Sequence, residues 1–342
     1  MPLSIKHGTN ISHWLSQSAR RGAERKAFFT RDDIKRIADW GFDHIRLPID
    51  EEQMWDADGK PEREAFGLME SALNWAEQAG LKVVVDLHIL RSHYFVTSTE
   101  PKLFTDPAEA ERFADLWHQL SVCLERRSTD RVAYELLNEA VATDPNDWNR
   151  VAHLAFQAIR DREPRRTIVL GSNRWNSVTT FGELDVPNDP NTILTFHLYH
   201  PMLITHHQAH WWPEGTLYDG PVQYPGQPIP AANFAQLPES VRTRLAALNA
   251  LYDRRAMVAD LAKPLAVAQR TGLPLYCGEF GAYDKTPHAV RLAWYRDIAS
   301  VLKEYGIAWA NWDYKGGFAL VKDGTSTGIA EVLLTSTPDT EH

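Results

Sequence analysis

The chain has 342 residues, 44% of them hydrophobic, which is enough to build one large domain around its own core. Its formal net charge is −9 and its 36 basic residues are scattered, so nucleic acid is excluded as a natural partner. No run of about 18 apolar residues occurs, which rules out a transmembrane helix, and two cysteines, Cys123 and Cys277, are too few for a disulfide scaffold.

Strand-like runs rich in valine, isoleucine and leucine fall at 5–9, 44–49, 83–88, 132–137, 167–171, 193–199, 274–279 and 308–312. Helical periodicity fills 31–40, 64–79, 108–127, 148–161, 242–269 with a break expected at Pro264, 288–305, and a short stretch at 329–333. Thr30 followed by Asp32 and Asp33, and Asp106 followed by Pro107, read as helix starts. Gly41, Gly80, Gly272 and Gly306 read as stops just ahead of strands. Short apolar strands separated by helices imply a parallel sheet buried on both faces, and eight of them imply closure. The expectation is therefore an α/β fold, a single (β/α)8 TIM barrel over 1–342. The competing doubly wound open sheet would lack its phosphate loop, because Gly8-Thr9-Asn10-Ile11 has the wrong spacing. Residues 172–189 show no long helix, and 201–239 form a proline-rich and aromatic-rich insertion after the sixth strand. Its Trp211, Trp212, Tyr218 and Tyr224 are candidates for a cleft wall. The two cysteines are expected as buried, reduced thiols. Residues 1–10 carry no long apolar run, so a cytoplasmic protein is expected, or a secreted or periplasmic one if an export signal has been removed.

Polar residues recur where these strands end. Arg46 lies in the second, Asp86 and His88 close the third, Asn138 and Glu139 the fourth, His197 and Tyr199 the sixth, Glu279 the seventh and Trp312 the eighth. In a closed barrel these ends share one rim, so Glu139 and Glu279 become neighbours, the pair of carboxylates that glycoside cleavage needs. Arg46 and the Tyr199 phenol would favour the ionised form of Glu279, while Glu139 must begin protonated to serve as an acid. A metal centre is the rival reading of the histidines and carboxylates. No His-Glu-x-x-His spacing supports it, and the pair His206-His207 fits a solvated loop better. No Gly-x-Ser-x-Gly elbow is present for a serine nucleophile. Trp14, Trp175 and Trp309 stay open between core and ligand contact.

The chain resembles glycoside hydrolase family 5, the cellulase-like retaining barrel enzymes. The resemblance rests on Asn10, His44-Ile45-Arg46-Leu47-Pro48, Asp86-Leu87-His88, Leu137-Asn138-Glu139, His197-Leu198-Tyr199, Gly278-Glu279-Phe280-Gly281 and Trp309-Ala310-Asn311-Trp312-Asp313, in order from about residue 5 to 320. It implies Glu139 as acid/base, Glu279 as nucleophile, and Arg46, His88, Asn138, His197, Tyr199 and Trp312 as the surrounding sugar subsite. It further implies retention by double displacement on β-1,4-linked glucan or gluco-oligosaccharides, with no cofactor and no metal. The alternatives are a β-mannanase, an exo-acting β-glucosidase on small glycosides, and a carbohydrate-binding barrel without catalysis. The insertion at 201–239 departs from common secreted cellulases and points away from polymeric cellulose, towards soluble chains or short saccharides.

Overall fold

The computed structural model describes residues 2–336. Eight parallel strands close into a barrel in chain order: β1 (His7–Asn10), β2 (His44–Asp50), β3 (Lys82–Ile89), β4 (Val132–Glu135), β5 (Ile168–Gly171), β6 (Thr192–His197), β7 (Leu275–Glu279) and β8 (Ala308–Asn311). A two-stranded antiparallel ribbon pairs 321–322 with 325–326 outside it. No helix among the described residues is long and apolar enough to cross a membrane.

Alternation along each strand sorts side chains into two environments. The outward set, such as Ile45, Leu47, Val83, Val85, Leu87, Leu194 and Phe196, joins the large core shared with the helices. The inward set forms a separate apolar plug of Val84, Ala133, Val169, Ile193, Tyr276 and Ala310, with Leu3 and Ile5 packed against it from the N-terminal segment. Two residues further along the strands the inward positions turn polar: Val84 gives way to Asp86 and then His88, Ala133 to Glu135, Ile193 to Thr195 and then His197. A dry floor with a polar storey above it is how the barrel fills its interior and builds a site at one end. Gly8 makes room for that filling, since a Cβ there would come within 2.3 Å of the His44 ring.

The helix signals read from sequence hold. Thr30 and Asp33 close a capping box, with the Thr30 amide donating to Asp33 at 2.9 Å. Asp106 caps the helix Pro107–Leu124 by accepting from Ala108, with proline in the first turn. Gly41, Gly80, Gly272 and Gly306 all take positive φ at the stops. Two expectations need correcting. The span 242–269 is not one helix broken at Pro264 but three, Glu239–Leu245, Arg254–Asp260 and Ala262–Thr271, and Pro264 sits in the first turn of the last, where its missing N–H costs nothing. Cys277 is buried, but Cys123 is exposed on its helix, so the thiols do not share one fate. After β5 the chain makes no long helix, as the lack of periodicity indicated: only a tight turn at Asn173–Asn176, whose backbone is not that of a right-handed helix, and a 3-10 turn, Val178–Glu183.

The segment after β6 is more ordered than a surface loop. It contains Met202–Thr205, Pro213–Thr216 and Ala231–Ala235, and with the following helix it encloses its own apolar cluster of Leu203, Ile204, Tyr218, Val222, Ile229 and Leu245.

Candidate active site

Strand register brings the site together before any side chain is considered. Asn10 lies beside Arg46, Arg46 beside Val84 with Asp86 one inward step beyond, and a register shift sets His197 beside Glu279. Glu139 stands just past β4 in the left-handed region at φ 47°, a conformation costing roughly 1–3 kcal/mol in a residue that is not glycine and found chiefly where function demands it.

Arg46 is the hub. Its guanidinium donates to Glu135 twice, at 2.7 and 2.9 Å, to Glu279 Oε1 at 2.7 Å, and to the side-chain oxygens of Asn10 and Asn138 at 2.9 Å each. Asp86 lies 3.0 Å from the same group. All five N–H donors are therefore taken by the protein. Expected among the sugar contacts, Arg46 is instead completely buried beneath the cavity, where it holds Glu279 and Asn138 in place. Burial pushes the Asp86 and Glu135 carboxyls up to about 7, the nearby Arg46 charge opposing the rise.

The two glutamates face each other across a short gap. One oxygen of Glu139, one of Glu279 and a ring nitrogen of His197 all lie within 4.8 Å of one another. Oxygens no more than 4.8 Å apart lie on the side of the shorter carboxyl spacing, which is associated with a covalent intermediate and retention, rather than of the wider one that admits a water and gives inversion. Glu279 accepts from Arg46 and, at 2.8 Å, from the Tyr199 hydroxyl. Glu139 has one partner, His197 Nδ1 at 2.9 Å. Their side chains are 12% and 6% exposed for Glu139 and Glu279, so both carboxyls feel desolvation. Glu139 is raised well above the ordinary carboxylate range by burial and by the charge of Glu279. Glu279 is raised by burial too, but Arg46 and the Tyr199 hydroxyl pull it back. That asymmetry separates an acid from a nucleophile. The same three atoms could close on a metal ion, but each already has a role in this hydrogen-bonded network.

Above the pair opens a cavity of about 1490 Å³, lined by His88, Asn138, Glu139, His197, Tyr199, Glu279 and Trp312 among others. It exceeds the usual small-molecule pocket and has room for several sugar rings. The His88 ring lies parallel to Trp312 at 5.5 Å and its Nδ1 meets Asp86 at 2.6 Å. Burial lowers the His88 pKa to about 3, so it is neutral. Seven of the eight site residues expected from sequence thus line the cavity, and Arg46 supports it from below.

The aromatic candidates divide. Trp175, Trp211 and Trp212 line the cavity, and the first two are 48% and 38% exposed. Trp14 and Trp309 are core residues. Tyr218 serves the insertion's own structure, donating to the Pro221 carbonyl, and Tyr224 ties the insertion to the barrel, donating to Asp297 on the helix His288–Glu304 and joining the large core. The pair His206-His207 is not a solvated loop. His206 packs edge-on against Tyr199, Trp211, Trp212 and Phe318, and burial lowers its pKa to about 4, while His207 is buried against Tyr218. Sequence reasoning missed Glu135 as a partner of Arg46, and Tyr94, Phe95 and Phe318 as cavity lining. The signal for Glu135 was available in its inward position, two residues after Ala133. Tyr94, Phe95 and Phe318 lie in loops that carried no periodic pattern.

Residues 7–317 match the family model described as cellulase, glycosyl hydrolase family 5. Endoglucanase C of Acetivibrio thermocellus is 32% identical over 318 residues, covering 92% of each chain. Cellodextrinase A of Ruminococcus flavefaciens is 31% identical over 89% of this chain and 84% of its own. Among solved structures, endoglucanase Cel5A from Thermotoga maritima is similar in fold, with a TM-score of 0.78 at 24% identity over 96% of both chains.

Proposed function

The chain belongs to glycosyl hydrolase family 5, and from that premise we propose that it cleaves soluble β-1,4-linked gluco-oligosaccharides with retention, Glu279 acting as nucleophile and Glu139 as acid and then base. The observation that carries the proposal is the short gap between two carboxyls in unequal surroundings. Ionised Glu279 attacks the anomeric carbon while protonated Glu139 gives its proton to the departing oxygen; Glu139, now a carboxylate, takes a proton from the water that attacks the glycosyl-enzyme, and Glu279 is released. Asn138 spends its oxygen on Arg46 and keeps its amide donor for a sugar hydroxyl. Trp312, held parallel to His88, offers an indole face to the ring being cleaved.

The preference for short, soluble chains rests on the wall formed by the 201–239 insertion. His206, His210, Trp211 and Trp212 of the insertion line the cavity together with Tyr94, Phe95 and Trp175. The cellodextrinase among the relatives supports that preference, and the endoglucanase supports the β-1,4-glucan linkage.

Glu279→Ala is expected to abolish turnover. Glu139→Ala is expected to lose about 10²–10⁴-fold on cello-oligosaccharides, less on aryl glycosides whose leaving groups need no proton, and azide is expected to restore its turnover as a β-glycosyl azide. An α-azide from that variant would exchange the roles. A rapid fall in the viscosity of carboxymethyl cellulose with few new reducing ends would contradict the short-chain preference.

A further inference from the structure

Arg174, Trp175 and Asn176 follow one another in the left-handed region, at φ 55°, 62° and 51°. None is glycine, and such a run persists only where surrounding contacts impose it. Here they come from the loop that carries Glu139. The Trp175 amide donates to the Ala140 carbonyl at 3.1 Å, and the Asn173 side chain grips both backbone groups of Ala142 at 2.9 Å each. The turn sends Trp175 into the cavity and buries Asn176 completely, its Nδ2 lying 3.2 Å from His197 Nε2. On the other side of that ring, Nδ1 lies 2.9 Å from Glu139 Oε1 and 3.7 Å from Glu279 Oε2.

Ionised Glu279 turns lone pairs towards Nδ1, and Glu139 does the same once its proton is given up; an Nδ1–H faces the first favourably and can donate to Glu139 in either of its states, so the proton is assigned to Nδ1. Burial keeps the ring neutral by holding its pKa well below the ordinary value, which leaves Nε2 as an acceptor for the Asn176 amide. We infer that Asn176 is a positioning residue: it holds His197 as the Nδ1–H tautomer, so that His197 donates to Glu139 Oε1 and the acid proton of Glu139 resides on Oε2, free to pass to the leaving group. The inference rests on the acid/base reading of Glu139 and adds to it the device that orients the proton.

Gly171, the last residue of β5, belongs to the same device. A Cβ there would come within 2.5–2.7 Å of the Asn176 amide, so any larger residue displaces the amide from the ring. The other charged or titratable groups around Glu139 and His197 are Glu279 from β7, Arg46 from β2, Asp86 and His88 from β3, His93 beyond β3 and Tyr199 beyond β6.

The test is Asn176→Asp, read as kcat/KM against pH on cellotetraose and on 2,4-dinitrophenyl β-cellobioside, whose leaving group needs no proton. An aspartate only accepts; it draws a proton to Nε2 and favours the doubly protonated ring, which stabilises the Glu139 anion. The basic limb on cellotetraose should move down by about one pH unit, with a loss of roughly 10–100-fold at pH 7, while the dinitrophenyl substrate stays within about threefold. Gly171→Ala should reproduce the loss that depends on leaving group. An unmoved basic limb, or equal losses on both substrates in a folded variant, would overturn the inference. Should the variants not fold, imidazole ¹⁵N shifts of the native enzyme decide: His197 protonated at Nδ1 and bare at Nε2 is expected, and the reverse overturns it. Glu139→Gln measured in parallel keeps the two readings apart, because a loss there without dependence on leaving group would remove the acid role itself, whatever Asn176 does.

Discussion

Replacing Arg46 with methionine removes one buried cation from three buried carboxylates, Asp86, Glu135 and Glu279. Stripping one partner from a buried ion pair costs about 3–5 kcal/mol, because the remaining charge is left uncompensated. The cost here depends on pH in a direction the structure dictates. Asp86 and Glu135 already titrate at about 7 in the folded protein, raised by burial and held down by Arg46. A carboxyl raised in the folded state contributes stability that is complete below its unfolded pKa and is lost as pH rises through the folded value. At pH 6 both groups are mostly protonated with or without Arg46, and the loss is confined to Glu279 and the broken hydrogen bonds, about 3 kcal/mol. Above 7 the native protein ionises them beside Arg46, whereas the variant must keep them protonated, at about 1.4 kcal/mol per pH unit for each group. The deficit at pH 8 should therefore reach about 6 kcal/mol. At roughly 2 °C per kcal/mol for a chain of this size, thermal melts should fall by about 6 °C at pH 6 and about 12 °C at pH 8. A drop that is equal at the two pH values, or smaller at pH 8, would refute the argument that Arg46 is what allows these carboxyls to ionise. Glu279 loses the same support, so the acid limb of any residual activity should move to higher pH.

Trp175→Ala should lower kcat/KM on cellotetraose by roughly tenfold, about 1.4 kcal/mol of ring stacking, while shifting the melting temperature by less than about 2 °C, since the indole is half-exposed and packs on no core. Equal loss on a substrate with no sugar beyond the cleaved bond would place Trp175 elsewhere in the cleft. Prolonged EDTA treatment should leave activity unchanged; loss restored by an added divalent ion would assign Glu139, His197 and Glu279 to a metal.

Most of the barrel was legible because its punctuation is local. A threonine or aspartate before a helix and a glycine after it act within one turn, and the structure bears out each such signal at 30, 41, 80, 106, 272 and 306. The strand ends read two residues long at β4 and β6 because Leu136-Leu137 and Leu198-Tyr199 continue the apolar pattern after the ladder has stopped. The rim residues were visible as polar interruptions. What stayed hidden was depth along the barrel axis. Arg46 and the lining residues look alike in sequence, and only the count of inward steps from the apolar plug puts Arg46 with Asp86 and Glu135 below the cavity. Asn176 was hidden for another reason. Its position depends on three left-handed residues in succession, and Arg-Trp-Asn carries no glycine to announce them.

Most of the insertion after β6 packs around an apolar centre of its own, while its Tyr224 joins the large core of the barrel. It is tied to the rim and its neighbours at defined points: the Thr205 hydroxyl donates to the Tyr199 carbonyl, the Tyr283 amide to the Thr205 carbonyl, the Thr286 hydroxyl to the Ile204 carbonyl and the Trp294 indole to the His200 carbonyl, while His206 packs on Tyr199 and Phe318. A part built this way is modular. Its surface can change, lengthen or be exchanged as a unit, altering which saccharides the enzyme admits without disturbing the strands that aim the two glutamates. On the proposed reading, selection for substrate range and selection for chemistry therefore act on different pieces of this molecule.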